Sequence, residues 1–109
     1  MTTILRGSDN FDSATALGPG QTVQVVTGAR AFATDYTNNT GKALFFGVSG
    51  QSSANANLEL FVGGVSVAIS YITLGQASFA GCVVPTGSTY RATISSGTPT
   101  LQRWVEYKL

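Results

Sequence analysis

From residue 22 onward, apolar side chains recur at every second position, and about every 8 to 15 residues Gly, Pro, Asn or Ser interrupts the recurrence. Period two is the repeat of a strand with one face buried, and regular breaks are the mark of short strands joined by turns. A chain patterned this way hides its apolar side chains by stacking two sheets or by closing one sheet on itself. Strands are expected over 22–27, 33–37, 43–49, 57–71 as a hairpin, 76–84, 89–94 and 101–107, and no segment carries a helical repeat. The expected fold is all-β: an antiparallel two-sheet β-sandwich, jelly-roll-like, of about 7–8 strands, with an immunoglobulin-like order as the other candidate. No Cys-Trp-Cys spacing supports the antibody type. Residues 1–20 read as an N-terminal arm or loose first strand, and 21–109 as the sandwich domain.

The hairpin is the clearest element. Gly63-Gly64 suits a two-residue turn whose positive φ angles glycine adopts freely. Regular pairing around it sets Val62 against Val65, Leu60 against Val67 and Leu58 against Ile69, and that aliphatic face is expected to be core. The opposite face holds Glu59, Phe61, Ser66, Ala68 and Ser70, where Phe61 is either exposed or covered by a neighbouring subunit. Over 43–49, Leu44, Phe46 and Val48 share one face. Over 89–94, Tyr90, Ala92 and Ile94 point inward. The final strand sets Leu101, Arg103, Val105 and Tyr107 opposite Gln102, Trp104 and Glu106, so both its faces carry apolar residues. Such a strand is central or touches another subunit. Phe61, Trp104 and Tyr107 are therefore the candidate ligand or intersubunit contacts, with core packing as the other reading of Trp104.

At 109 residues there is room for one domain and one core. Only 10% of the residues are charged, with a net charge of +1. That is too little to hold a phosphate backbone or an anionic membrane surface, and the apolar stretches fall far short of the ~20 residues that span a bilayer, so neither nucleic acid nor membrane insertion is expected. A surface this poor in charge tolerates association with copies of itself or with a larger particle. The chain has no histidine, the usual general base and commonest transition-metal ligand. Cys82, the single cysteine, lies in an apolar strand and reads as a small core residue. Asp9-Asn10-Phe11-Asp12 offers oxygen ligands but lacks the glycine and distal glutamate of a calcium loop. Asn38-Asn39-Thr40 matches a glycosylation acceptor, which matters only on a secretory route. Tyr36, Tyr71, Tyr90, Trp104 and Tyr107 are candidates for an aromatic sugar platform, against a packing role. No catalytic residue, cofactor or metal is expected, and the chain is not expected to be an enzyme.

Three stretches in fixed order resemble a module of tail-fibre and other small virion proteins of tailed bacteriophages and prophages. The first is Gly20-Gln21-Thr22 through Val26-Thr27-Gly28-Ala29-Arg30, followed by Asp35-Tyr36-Thr37-Asn38-Asn39-Thr40-Gly41-Lys42. The second is the hairpin, and the third is Val84-Pro85-Thr86-Gly87-Ser88-Thr89-Tyr90, with a closing Trp104-Val105-Glu106. The resemblance covers about residues 17–109. It implies a non-enzymatic virion structural protein of tail-fibre or tail-tip type, a homo-oligomer with a trimer favoured, contacting other virion proteins and a host-surface glycan or protein. The alternatives are a capsid decoration protein and, more distantly, a carbohydrate-binding module. The N-terminus, Met1 to Arg6, has no apolar run of a signal peptide, so synthesis in the bacterial host cytoplasm and residence in the virion are expected. No stalk precedes the sandwich, so the chain is expected to stand free, with its first 20 residues as a docking arm.

Overall fold

The computed structural model describes residues 17, 18, 20–73 and 76–109. They form eight strands: β1 (Thr22–Val25), β2 (Tyr36–Thr37), β3 (Leu44–Gln51), β4 (Ala56–Val62), β5 (Val65–Ile72), β6 (Ala77–Val84), β7 (Thr89–Ser96) and β8 (Thr100–Lys108). A 3₁₀ turn, Thr27–Ala29, follows β1. The expected arm and the Asp9–Asp12 stretch lie outside the described residues, save for the turn entering β1.

Two antiparallel four-stranded sheets stack as a sandwich, one in the order β1-β8-β3-β6 and the other β2-β7-β4-β5. The pairs β1·β8, β2·β7, β3·β6 and β4·β5 are those of one long hairpin whose tip is Gly63-Gly64. Rolled up so that alternate pairs fall in opposite sheets, this hairpin gives the eight-stranded jelly roll. Both turn glycines have positive φ, 60° and 81°, as a type I′ turn requires. The two turns quoted for the virion resemblance lie against each other. Asn38 N–H donates to Ser88 O at 2.9 Å, and Gly87 N–H donates to Asn38 O at 2.8 Å. Asn38 is 1% exposed, and its Nδ2 donates to Lys42 O and Val84 O. The acceptor nitrogen of the glycosylation triplet is thus consumed in holding the turns together.

Val62 and Val65 pair as regular alternation requires, but Val67 is an extra residue bulged from β5, so Leu60 meets Ala68 and Leu58 meets Ser70. A bulge reverses the parity of everything beyond it. Leu58 and Leu60 are fully buried, while Val65, Val67 and Ile69 are exposed, so the expected six-residue aliphatic face is split between core and solvent. A second bulge, at Gln102 in β8, lets both Leu101 and Trp104 face the interior despite their odd spacing. The remaining core is as the alternation predicts: Leu44, Phe46 and Val48 from β3, Tyr90 and Ala92 from β7, and Ile94 and Cys82 packed at its margin.

Candidate functional site

In a two-layer sandwich the outer face of each antiparallel sheet meets water and is ordinarily polar. The outer face of β1-β8-β3-β6 is not. Its strand registers line up Val23, Tyr107, Phe45 and Val83 in one row across the sheet, and Val25, Val105, Gly47 and Gly81 in the next. A third row holds Arg103, Ser49 and Phe79. Val23, Val25, Phe79 and Val83 are 68%, 60%, 56% and 46% exposed. Arg103 is the one charge in these three rows.

The two glycines give the face its shape. A Cβ on Gly47 would stand 2.5 Å from Phe79 Cζ, and one on Gly81 would collide with the Phe45 ring. Each phenylalanine therefore lies flat across the bare backbone of the neighbouring strand, filling the strip the glycines leave open, an arrangement known as aromatic rescue. The result is a low aromatic half on β3-β6 beside an aliphatic half on β1-β8. The four most exposed side chains alone present on the order of 400 Å² of apolar surface, the size at which a patch usually marks an interaction site.

Beneath the same sheet lies the one fully buried charge among the described residues. Glu106 is 0% exposed. Arg30 grips it with both arms, Nε to Oε2 at 2.8 Å and Nη2 to Oε1 at 3.0 Å. Tyr90 Oη and Trp104 Nε1 donate to Oε2 at 2.9 and 3.0 Å, and Lys108 Nζ lies 2.8 Å from Oε1. The 3₁₀ turn places Arg30, whose guanidinium also sits 4.6 Å from the Tyr36 ring centre. Tyr36, Tyr90, Phe46 and Trp104 pack as one aromatic cluster with centroids 5.0 to 5.9 Å apart. Burial pushes the Glu106 carboxyl up, but the hydrogen bonds from Arg30, Lys108 and Tyr90 outweigh it and hold the group below the ordinary glutamate range. Burial, then the neighbouring Glu106 charge, pushes the Tyr90 phenol up to about 12. Each carboxylate oxygen is engaged by donors of the chain itself, so this cluster binds the fold together and leaves no lone pair aimed at a ligand.

A third feature lies where the β3–β4 and β7–β8 loops meet. An open cleft of about 490 Å³ is lined by Gln51, Ser52, Ser53, Thr98, Thr100 and Gln102, all of them uncharged. Gln102 donates to Gln51 across it at 2.5 Å. Each amide keeps its other polar atom free of that bond, one as donor and one as acceptor.

The sequence-predicted contacts divide. Trp104 is wholly buried and cannot touch a ligand or a subunit; its position in a central strand, with the Gln102 bulge turning it inward, is what sets apolar residues on both faces of β8. Tyr90 is buried with it, and Tyr36 is half-buried beneath Arg30, so neither belongs to a sugar platform. Tyr107 lies on the apolar outer face. Phe61 is on the outer face of the other sheet, half-buried beneath Arg91, whose guanidinium is 4.4 Å from the ring centre. The structure does not bring Phe61, Trp104 and Tyr107 together. Sequence reasoning passed over Val23, Val25, Phe79 and Val83 as face residues. A signal for them exists in Phe45-Phe46-Gly47 and Phe79-Ala80-Gly81, two strands each with a glycine two positions after an outward phenylalanine. Among the described residues no group of three or more Cys, Asp or Glu side chains is placed to hold a metal. No family model matches this chain, and no curated protein matches it either.

Proposed function

We propose that this chain is a non-enzymatic structural module of a bacteriophage or prophage virion, of tail-fibre or tail-tip type, that works in several copies and contributes to host-surface attachment. The observation that carries the reading is the apolar face of β1-β8-β3-β6, whose three rows hold a single charge, a surface that a solitary domain has no use for and an assembled one covers. The ordered turns that resemble virion modules support the choice of particle. Several weakly binding domains on one particle gain avidity for a repetitive cell surface, which is the physical logic of such a device. The test is mass spectrometry of particles induced from the genome that encodes the chain, together with binding of the purified full chain to host cells. Low copy number and cell binding are expected. Absence from the particles overturns the reading, and a high copy number without cell binding replaces it with capsid decoration.

One observation favours carbohydrate as the attachment ligand, and it relocates the sugar site. The neutral cleft between Gln51 and Gln102 offers hydroxyls and amides suited to the diols of an uncharged glycan, in place of a platform built on Trp104. Shifts of the Gln51 and Gln102 side-chain amide resonances on titration with host-surface polysaccharide are expected; an unchanged spectrum at saturating polysaccharide removes this second reading.

A further inference from the structure

The geometry points to Arg103 as the residue that reads an anionic group on the glycan taken by the cleft between Gln51 and Gln102. A neutral sugar sits in the cleft, and the sugar next to it in the chain carries a carboxylate or a phosphate. This deepens the carbohydrate reading above and rests on it.

A strand bulge brings the parts together. Gly50 pairs with Leu101 and Ser49 with Arg103, so Gln102 is the extra residue of β8. Regular alternation would send Gln102 and Arg103 to opposite sides of the sheet. The bulge leaves both exposed on the outside, with Leu101 and Trp104 turned to the core on either side of them. Gln102 lines the cleft, so Arg103 stands beside it.

Arg103 is also a charge that the fold leaves unspent. Arg30 and Lys108 are committed to Glu106, and Arg91 to Asp35. Arg30 and Arg91 further lie over aromatic rings. Among the described residues the Arg103 guanidinium has no hydrogen bond, ion pair or aromatic partner. Solvation accounts for an exposed arginine elsewhere on a surface; here the bulge has set one against a cleft lined by uncharged groups, where it supplies the single formal charge. Its planar fork of N–H donors matches a carboxylate or a phosphate, a match that no hydroxyl of a neutral sugar uses in full.

The same row supplies an apolar wall. β8, β3 and β6 are successive strands, so Arg103 and Phe79 stand about 10 Å apart with the short Ser49 between them. The C–H face of a sugar ring lies on the exposed Phe79 ring while its anionic group meets Arg103. The glycan then continues along the strands to Gln51, two positions from Ser49 and about 7 Å away. A single cation among neutral groups reads one anion in a mostly neutral chain, whereas a polyanion such as nucleic acid needs several.

The experiment is calorimetric titration of the full chain, R103Q and Q51A with host-surface polysaccharide in three forms: native, carboxyl-reduced and dephosphorylated. Arg103 and Gln51 are exposed, so both variants are expected to keep the circular dichroism of the natural chain. The natural chain is expected to bind native polymer about tenfold more tightly than the form stripped of the anion that Arg103 reads. Carboxyl reduction having this effect identifies an acidic sugar, and dephosphorylation a phosphorylated one. R103Q is expected to bind native polymer as weakly as the natural chain binds the stripped form, and to bind the stripped form with unchanged affinity. Q51A is expected to weaken both, since Gln51 serves the neutral sugar. Equal binding of all three forms by the natural chain, or R103Q matching it on native polymer, overturns the anion contact and leaves the neutral cleft standing. Loss of the stripped form by R103Q also overturns it, because Arg103 would then be shaping the cleft and not reading charge. No binding of any form overturns the carbohydrate reading and this inference with it.

Discussion

A carboxylate taken out of water survives as a charge only where donors replace the solvent, and Glu106 has five around it. Glu106→Gln keeps the shape but gives the amide nitrogen to face donors. Arg30 and Lys108 retain some contact with water, at 15% and 18% side-chain exposure, so the cost belongs at the lower end of the range for breaking a buried pair, about 3 kcal/mol. Thermal melting should show a Tm lower by roughly 15 °C; a change within a few degrees would mean that the cluster is not coupled to the fold. The same group sets the acid limit. A carboxyl held below its ordinary value gives stability that is fully present above about pH 4.3, the value in the unfolded chain, and is lost as pH falls through the folded value. Tyr90 sets the alkaline limit with the opposite sign. Its phenol is raised from the ordinary 10 to about 12, so its contribution is intact below pH 10 and lost as pH rises toward 12. Urea midpoints should therefore be flat between these limits, and phenolate absorbance of the Tyr90→Phe variant should lack the last-titrating component. Alternation set Tyr90 inward and Trp104 on the same face as Glu106, but the ion pair at the centre of the cluster was not foreseeable, because Arg30 and Glu106 are distant in the chain and only a 3₁₀ turn and a strand register bring them together.

Elements were legible where a period ran unbroken. β3 and β7 carry their core residues at the positions that alternation predicts, and Gly63-Gly64 is the turn that two adjacent glycines imply. Alternation fails at Val67 and Gln102, because nothing local distinguishes a bulged residue from a paired one. Each bulge is decided by the neighbouring strand, and one extra residue inverts every later side chain. The outward Val67 and Ile69 and the inward, half-buried Leu101 follow from this. The turns were legible as turns but not as partners of each other. Asn38 joins them through an amide that both donates and accepts: Nδ2 gives to Lys42 O and Val84 O, while Oδ1 receives Thr40 N–H and Oγ1–H. That division of labour can be tested. Asn38→Asp keeps the acceptor and the size but replaces the donor by a buried charge facing two carbonyls, whereas Asn38→Ala merely removes the group. Both should lower the unfolding free energy read from urea titration, the alanine by about 2 kcal/mol and the aspartate by more. An aspartate as stable as the natural residue would show that the donor is dispensable.

At the scale of the whole molecule, about seven or eight strands in two jelly-roll-like sheets were expected from the pattern, but nothing in it decided their order against an immunoglobulin arrangement, since the two share the same strand lengths and turns. The order follows from long-range pairing about one central tip, which alternation does not encode. Nor could alternation tell which side of a doubly apolar sheet is core. Phe46 and Phe45 are neighbours of equal hydrophobicity; one is buried between the sheets, and the other lies across Gly81 on the outside. A molecule with two apolar sides to one sheet and hardly any charge elsewhere should associate by a force with a recognisable signature. Ion pairs weaken as salt rises, because screening shortens their reach to about 8 Å at physiological strength and less above it. Apolar burial is indifferent to sodium chloride, is strengthened by sulfate and weakens on cooling. The assembled mass should therefore hold from low to high sodium chloride, rise in stability with added sulfate and fall as the temperature approaches freezing. The melting temperature should climb with protein concentration, since a partner that binds only the folded chain stabilises it by mass action. V23K, with its face interrupted by a charge, should melt at one temperature at every concentration. An assembly that dissolves in sodium chloride would place the contact on Arg91, Asp35 and the other charges of the opposite sheet, and the valine and phenylalanine face would then need a different occupant.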